Sequence, residues 1–292
     1  MIVGVNRKGV DWLEKVLALL LCSVLFLSSC GKTADLVAYE IPPTAYSETG
    51  SSDPWRVRNE DVSKSNPEET RTVTFDGKTY TGKYVYDSQN HCNSYRSRFY
   101  EFSGGIFSVK ETTGQMDYIK STMLSTGGKT EAECEAEVIR IASQFINTED
   151  YKLTIESDET SQVFSFVRYI AGIETSARLC VTMKTYGGLY KLYSVELQMV
   201  DEVEAYIHEH GLSKTETQAK RLSSNAAHSL VKERIKENYP NNEGYTIQDG
   251  VLTVSGDGQL GMLYEVSVAW NDQDGEYTME GSYGIRVVVT TR

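Results

Sequence analysis

The chain is poor in the residues and motifs that carry chemistry. Its 292 residues include five cysteines and four histidines, and no CxxC pair, G-x-S-x-G elbow, P-loop or dinucleotide fingerprint occurs. That removes the zinc ribbon, the disulfide framework, the serine-hydrolase elbow and the nucleotide cradles from the readings the sequence supports. His208 and His210 are two apart, so on a helix they point ~200° from each other and cannot share a metal. His228 is not followed by Glu, which excludes the zinc-protease helix. His91 and Cys92 are adjacent, and on a strand adjacent side chains leave by opposite faces, so they form no activated thiol. Positive charge is scarce as well. Lys plus Arg number 29 against 41 Asp plus Glu, a net charge of −12, which disfavours nucleic acid as a partner. Long hydrophobic runs are also missing. The longest, residues 16–27, holds twelve residues with Ser23 among them, short of the ~20 that a membrane-spanning helix needs.

What is present begins with an address. Arg7, Lys8 and Lys15 precede the apolar run, which closes on Leu27-Ser28-Ser29-Cys30-Gly31. A positive start, a short apolar stretch and small residues make a secretory signal. The close resembles the lipobox of bacterial lipoproteins, in which the cysteine is acylated and becomes the mature N-terminus. The resemblance implies a signal peptide over 1–29, lipid on Cys30, and a place on the extracytoplasmic face of the cell membrane. Residues 1–29 carry three cations and two acids, so the rest of the chain is near −13 from its side chains (−12 minus +1). Of the remaining thiols Cys92, Cys134 and Cys180, the last two fall in helical and strand patterns and read as small buried hydrophobes.

Residues 30–70 lack any sustained apolar period and are rich in Ser, Asn, Glu and Asp. Such a segment cannot bury enough surface to offset its ordering entropy, so it reads as a flexible tether. Residues 71–128 are strand-rich: Val73 and Phe75 run up to the turn Asp76-Gly77, and further strands flank Gly104-Gly105 and Thr113-Gly114. Residues 129–211 open on Thr130-Glu131-Ala132-Glu133, a capping-box signature. Cys134, Val138, Ile141 and Phe145 follow at helical spacing. Strands then lead through the glycine turn Tyr186-Gly187-Gly188-Leu189 to the alternation Tyr193, Val195, Leu197, Met199. Residues 201–210 read as a short helix stopped by Gly211. Residues 212–292 restate the plan. Ser213-Lys214-Thr215-Glu216 reads as a second capping box, one helix runs to Pro240, and two long alternating strands end the chain around a loop at 271–281.

Capped helix, long strand and glycine hairpin in this order resemble the PepSY-type repeats of bacterial secreted proteins. Ile141-Ala142 matches their helix, and Thr113-Gly114-Gln115-Met116 their Thr-Gly-X-aliphatic turn. The later turns depart from it: Tyr186-Gly187-Gly188-Leu189 lacks the Thr, and Gly258-Gln259-Leu260 keeps only the Gly and the aliphatic residue. The resemblance covers 71–292. It implies an α+β fold of tandem helix-plus-antiparallel-sheet units, cystatin-like, with a non-catalytic role on a peptidase or another envelope protein.

Two other patterns carry no chemistry. Glu131, Glu133, Glu135 and Glu137 spread around a helix and read as a solvated acidic face. Aligning Gly275 with the invariant glycine of a calcium loop puts Trp270 and Gly281 at ligand positions, which neither can fill. No catalytic, cofactor or metal residue is therefore assigned. The expected function is a lipid-anchored binding or regulatory module. A cell-envelope hydrolase assembled from scattered residues is the alternative. The expected docking edge is the last strand, residues 283–289, around Arg286, because nothing follows it to cover it.

Overall fold

The computed structural model describes residues 36–41, 57–59, 69–89, 96–124, 128–274 and 277–291. The expected signal peptide, Cys30 and the His91-Cys92 pair lie outside them.

Seven strands come first: β1 (Leu36–Ile41), β2 (Val57–Asn59), β3 (Thr70–Phe75), β4 (Lys78–Gln89), β5 (Arg96–Phe102), β6 (Gly105–Lys110) and β7 (Met116–Ser121). Helix α1 (Glu131–Ala142) and a 3-10 turn (Thr148–Asp150) lead to β8 (Tyr151–Ser157), β9 (Ser161–Ile170), β10 (Ile173–Tyr186) and β11 (Leu189–Gln198). Three consecutive helices follow, α2 (Val200–His210), α3 (Leu212–Leu222) and α4 (Asn225–Asn238). The last strands are β12 (Gly244–Ile247), β13 (Val251–Val254), β14 (Leu260–Asp274) and β15 (Tyr277–Thr291).

These strands form a single 15-stranded sheet whose main path runs β1-β15-β14-β13-β10-β11-β7-β6-β5-β4-β2. The expectation of tandem helix-plus-antiparallel-sheet units is therefore wrong. The described chain is mostly β, a mixed sheet with four α-helices beside it. Main-chain pairing crosses both expected unit boundaries. β7 pairs antiparallel with β11 (Ile119 opposite Val195), and β10 meets β13 in parallel at Thr175 and Leu252. The buried apolar residues follow suit, with Val73, Val138, Leu179, Leu222 and Val287 all in one contiguous cluster. Alternation dictates which side chains a strand buries, but a strand's free amides and carbonyls accept any neighbour of matching register, and here they continue across the boundaries.

The parallel junction has a local cause. The β9–β10 ladder breaks between Glu174 and Arg178. In the gap the Thr175 hydroxyl donates to the Arg168 carbonyl at 2.9 Å and accepts from the Ala177 amide at 3.2 Å. The Ser176 hydroxyl donates to Thr253 of β13 at 3.1 Å. Side-chain hydroxyls thus satisfy buried groups that the ladder leaves open, as buried polar groups require.

Helix α1 forms as its pattern dictates. The Thr130 amide and hydroxyl both donate to the Glu133 carboxylate at 2.8 Å, and Cys134, Val138, Ile141 and Ala142 are buried. Burying each large aliphatic side chain is worth roughly 1.5–3 kcal/mol. The helix ends at Ser143, so Phe145 lies beyond it and stacks on Phe75 with ring centroids 6.2 Å apart.

The second capping box does not form. Ser213 sits inside α3, whose N-cap is Gly211 with φ +80°, and the single long helix expected to Pro240 breaks into α3 and α4 at Ser223-Ser224. Ser224 is the true cap there, accepting from the Ala227 amide at 3.4 Å. Of the loop expected at 271–281, the described residues 271–274 and 277–281 are strand, with Asn271 opposite Glu280 and Asp274 opposite Tyr277.

β15 is not an edge. β14 pairs along one side of it, and β1 pairs along the other from Leu36 opposite Thr291 to Ile41 opposite Arg286. The strand that closes this edge comes from the span expected to be tether. Its apolar run Leu36-Val37-Ala38-Tyr39-Glu40-Ile41 was the available signal.

Candidate functional site

Five strands, β8-β9-β10-β11-β7, present one continuous face away from α1. Three rungs cross it. The first runs Lys152, Val167, Arg178, Gln198; the second Thr154, Ser165, Cys180, Glu196, Tyr118; the third Glu156, Val163, Thr182, Ser194, Lys120. The intervening residues, Phe164, Phe166, Leu179, Val181 and Val195, point the other way into the core cluster that also holds Val138 of α1. Apart from the buried Val167, the rung residues are half-buried or exposed. A two-faced sheet of this kind has one packed and one solvated side.

The solvated side is unlike the rest of this acidic molecule. Lys184 places its ammonium 4.0 Å from the centroid of the Tyr193 ring, and Lys120 approaches the same ring at 5.4 Å. Lys152 lies 5.7 Å from the Tyr169 ring. The Tyr169 hydroxyl donates to Glu174 at 3.2 Å, and Arg178 donates to the other oxygen of Glu174 at 2.9 Å. Burial first, and then the Glu174 charge, push the Tyr169 phenol up. Contacts of cation to ring at exposed positions contribute ~0.5–1 kcal/mol each. Lys120, Lys152, Arg178, Lys184 and Lys191, which stands opposite Lys184, thus meet Glu156, Glu174 and Glu196, five cations against three acids, where the whole chain has 29 against 41.

A bulge creates the centre of this patch. The β10–β11 register shifts between Thr182 and Met183, so that Leu192 opposes Met183 and Ser194 opposes Thr182. Tyr193 is the extra residue. Alternation alone assigns it to the core with Val195 and Leu197, but Leu192 takes that place, buried, and Tyr193 carries the two lysines outside. Bulges re-aim side chains in this way and are enriched beside functional sites.

Cys180 lies on the same face, 3.5 Å from the Ser165 hydroxyl, and burial pushes its thiol up, so it stays protonated rather than nucleophilic. Cys134 donates to the Thr130 carbonyl at 3.4 Å, and burial pushes it up too; both thiols are free. His210 stacks on Tyr206 at 4.2 Å, and His228 meets the Tyr264 ring edge-on at 5.9 Å. Glu137 pairs with Arg140, which also holds Asp76 through two hydrogen bonds of 2.7 and 3.0 Å. Among the described residues no group of His, Cys, Asp or Glu is arranged to hold a metal, and no helix is long and apolar enough to cross a membrane.

A second cluster escapes any local motif because its members are ninety residues apart. Lys110 on β6 is 1 % exposed, and its ammonium donates to Asp201 at 2.8 Å and to both oxygens of Glu202 at 2.8 and 2.9 Å. Glu204, one turn on, accepts from the Tyr151 hydroxyl at 2.9 Å and pairs with Arg168 at 3.3 Å. Acids in the first turn of α2 also meet the positive end of its dipole. These pairs fasten α2 to β6 and β9. Near Lys110, the buried Asp117 accepts from the hydroxyls of Ser97 and Ser108, which joins β5, β6 and β7 under the sheet surface.

No family model matches the chain, and no curated protein does. Among solved structures, the C-terminal domain of Bacillus megaterium YpeB is similar over 77 % of this chain and 92 % of its own, at 9 % identity and a TM-score of 0.28. An uncharacterized protein from Eubacterium rectale ATCC 33656 is similar over 78 % of this chain and 74 % of its own, at 9 % identity and a TM-score of 0.26. Likenesses of this size carry no argument about fold or function.

Proposed function

We propose that the protein is a non-catalytic binding module, anchored by lipid on Cys30 to the extracytoplasmic face of the cell membrane. Its open face around Tyr193 engages a protein partner. The observation that carries the reading is that face: a solvated, regular surface of half-buried tyrosines under lysines, locally reversed in charge from the rest of the molecule. Tyrosine and arginine are the residues that protein interfaces concentrate. The sequence likeness to PepSY-type repeats directs the search for the partner to peptidases and envelope proteins, and the lipobox-like Leu27-Ser28-Ser29-Cys30 supports the anchor.

Two experiments test it. Labelled fatty acid fed to expressing cells should appear on the protein and vanish with Cys30→Ala; label that survives the substitution defeats the anchor. A photoreactive residue at Thr182 should capture one partner in intact cells, and Lys120→Glu with Lys184→Glu should abolish the capture. Capture unchanged by the charge reversal removes the face from the mechanism. Turnover of a peptide or glycan by the purified protein replaces the module with the hydrolase.

A further inference from the structure

We infer that β1 clamps the folded body onto the bilayer, so that the sheet end at Leu36 and Thr291 faces the lipid headgroups and the β14–β15 tip faces away. This rests on Cys30 being the lipidated residue. Five residues separate Cys30 from Leu36. Six steps of at most ~3.5 Å span ~21 Å, and that is the greatest distance the Leu36 end can retreat from the lipid-bearing cysteine. The headgroup layer takes up ~5–8 Å of it. Were residues 30–69 all free coil, their root-mean-square reach would be ~35 Å and the body would tumble.

β1 is held firmly enough to act as a clamp. It pairs with β15 along its whole length, and Leu36 and Ala38 are buried in the common core. Helix α4 packs against both β1 and β15. Arg234 donates to the Ala38 carbonyl at 2.7 Å, and Asn238 and Tyr239 donate to the Glu40 carboxylate at 2.8 and 2.6 Å. The register then assigns the poles. Leu36 stands opposite Thr291, and Gly261 opposite Thr290, so the start of β14 and the turn at Asp257 share the near end. Asp274 and Tyr277 close the far end of the same ladder, ~44 Å away at ~3.4 Å per residue. With side chains near −13 in total, the body gains nothing from an anionic leaflet. The clamp, rather than charge, sets its position, and the orientation should resist salt.

The test uses the full-length chain in intact cells, with Cys92→Ser, Cys134→Ala and Cys180→Ala, and a single new cysteine from Asp257→Cys or Thr278→Cys. The rate of coupling to a bulky polyethylene-glycol maleimide is compared with and without a Gly-Ser spacer of about thirty residues after Thr33. The Asp257→Cys site should react about tenfold faster with the spacer, at low and high salt alike, while the Thr278→Cys site should not change. A second measurement keeps the native cysteines: antibody binding to a short epitope appended after Arg292 should likewise rise with the spacer. Equal rates and equal antibody binding, on protein that incorporates fatty acid, overturn the clamp alone. Protein that incorporates no fatty acid overturns the anchor, and the clamp with it.

Discussion

Lys110 is the residue on which the joint between the early strands and the later helices turns. Burial by itself would push its ammonium down, but Glu202 and Asp201 outweigh that and leave its pKa above the ordinary lysine value. Removing one partner of a buried pair costs ~3–5 kcal/mol, and because Asp201 is 46 % exposed the figure here is nearer ~2–3 kcal/mol. Lys110→Met should lose that much in urea titration at neutral pH, and adding Asp201→Asn with Glu202→Gln should recover part of it. Tyrosines supply a second prediction at this scale. Burial pushes Tyr84 up to about 12, aided by Asp87, and burial with the hydrogen bond to Glu69 does the same to Tyr100. A phenol whose folded pKa is raised contributes stability that is complete below its unfolded value near 10 and lost as the pH climbs through about 12. Urea midpoints should therefore fall across that window, and Tyr84→Phe with Tyr100→Phe should flatten the fall.

Elements were legible where the signal was local. The Thr130 box, the Asp76-Gly77 turn with φ of 47° and 72°, and the Gly187-Gly188 turn with φ of 61° and 81° all stand where short motifs put them. Ser213 failed for a physical reason. A Ser-x-x-Glu pattern is only an N-terminus if the chain before it is non-helical, and α3 already begins at Leu212, directly off the end of α2. Thr130→Ala and Ser224→Ala should each cost ~1 kcal/mol, whereas Ser213→Ala should be silent in the same denaturant titration. Gly211 ends α2 and begins α3 at φ +80°, so Gly211→Ala should cost more than ~1 kcal/mol through backbone strain.

For the whole molecule, the consequential element is the six-residue β1. It covers the last strand from Arg286 to Thr291, takes the edge position there itself, and joins the N-terminal segment to the core. Deleting residues 36–41 exchanges the β1 edge, where Arg234 caps the Ala38 carbonyl, for an uncapped edge on β15, and open edges recruit other chains. The deletion variant should form dimers or larger species by size-exclusion chromatography and lose several degrees of thermal stability; a monomer of unchanged Tm would mean that β1 contributes little.

By itself, the sequence determined local facts: the α1 stripe, the turns that need glycine, the acidic balance, and the alternation that marks the residues of β9, β14 and β15 that join the main core. These follow from neighbours three or four residues apart on a helix and two apart on a strand. Only the tertiary structure decided that the strands join into one sheet, that residues 36–41 cover β15, that Lys110 meets Asp201 and Glu202, and that a bulge turns Tyr193 outward. Each of these depends on hydrogen-bonding groups that every residue carries alike, or on partners tens to hundreds of residues apart, so the choice among registers belongs to the packed molecule and not to any stretch of its chain.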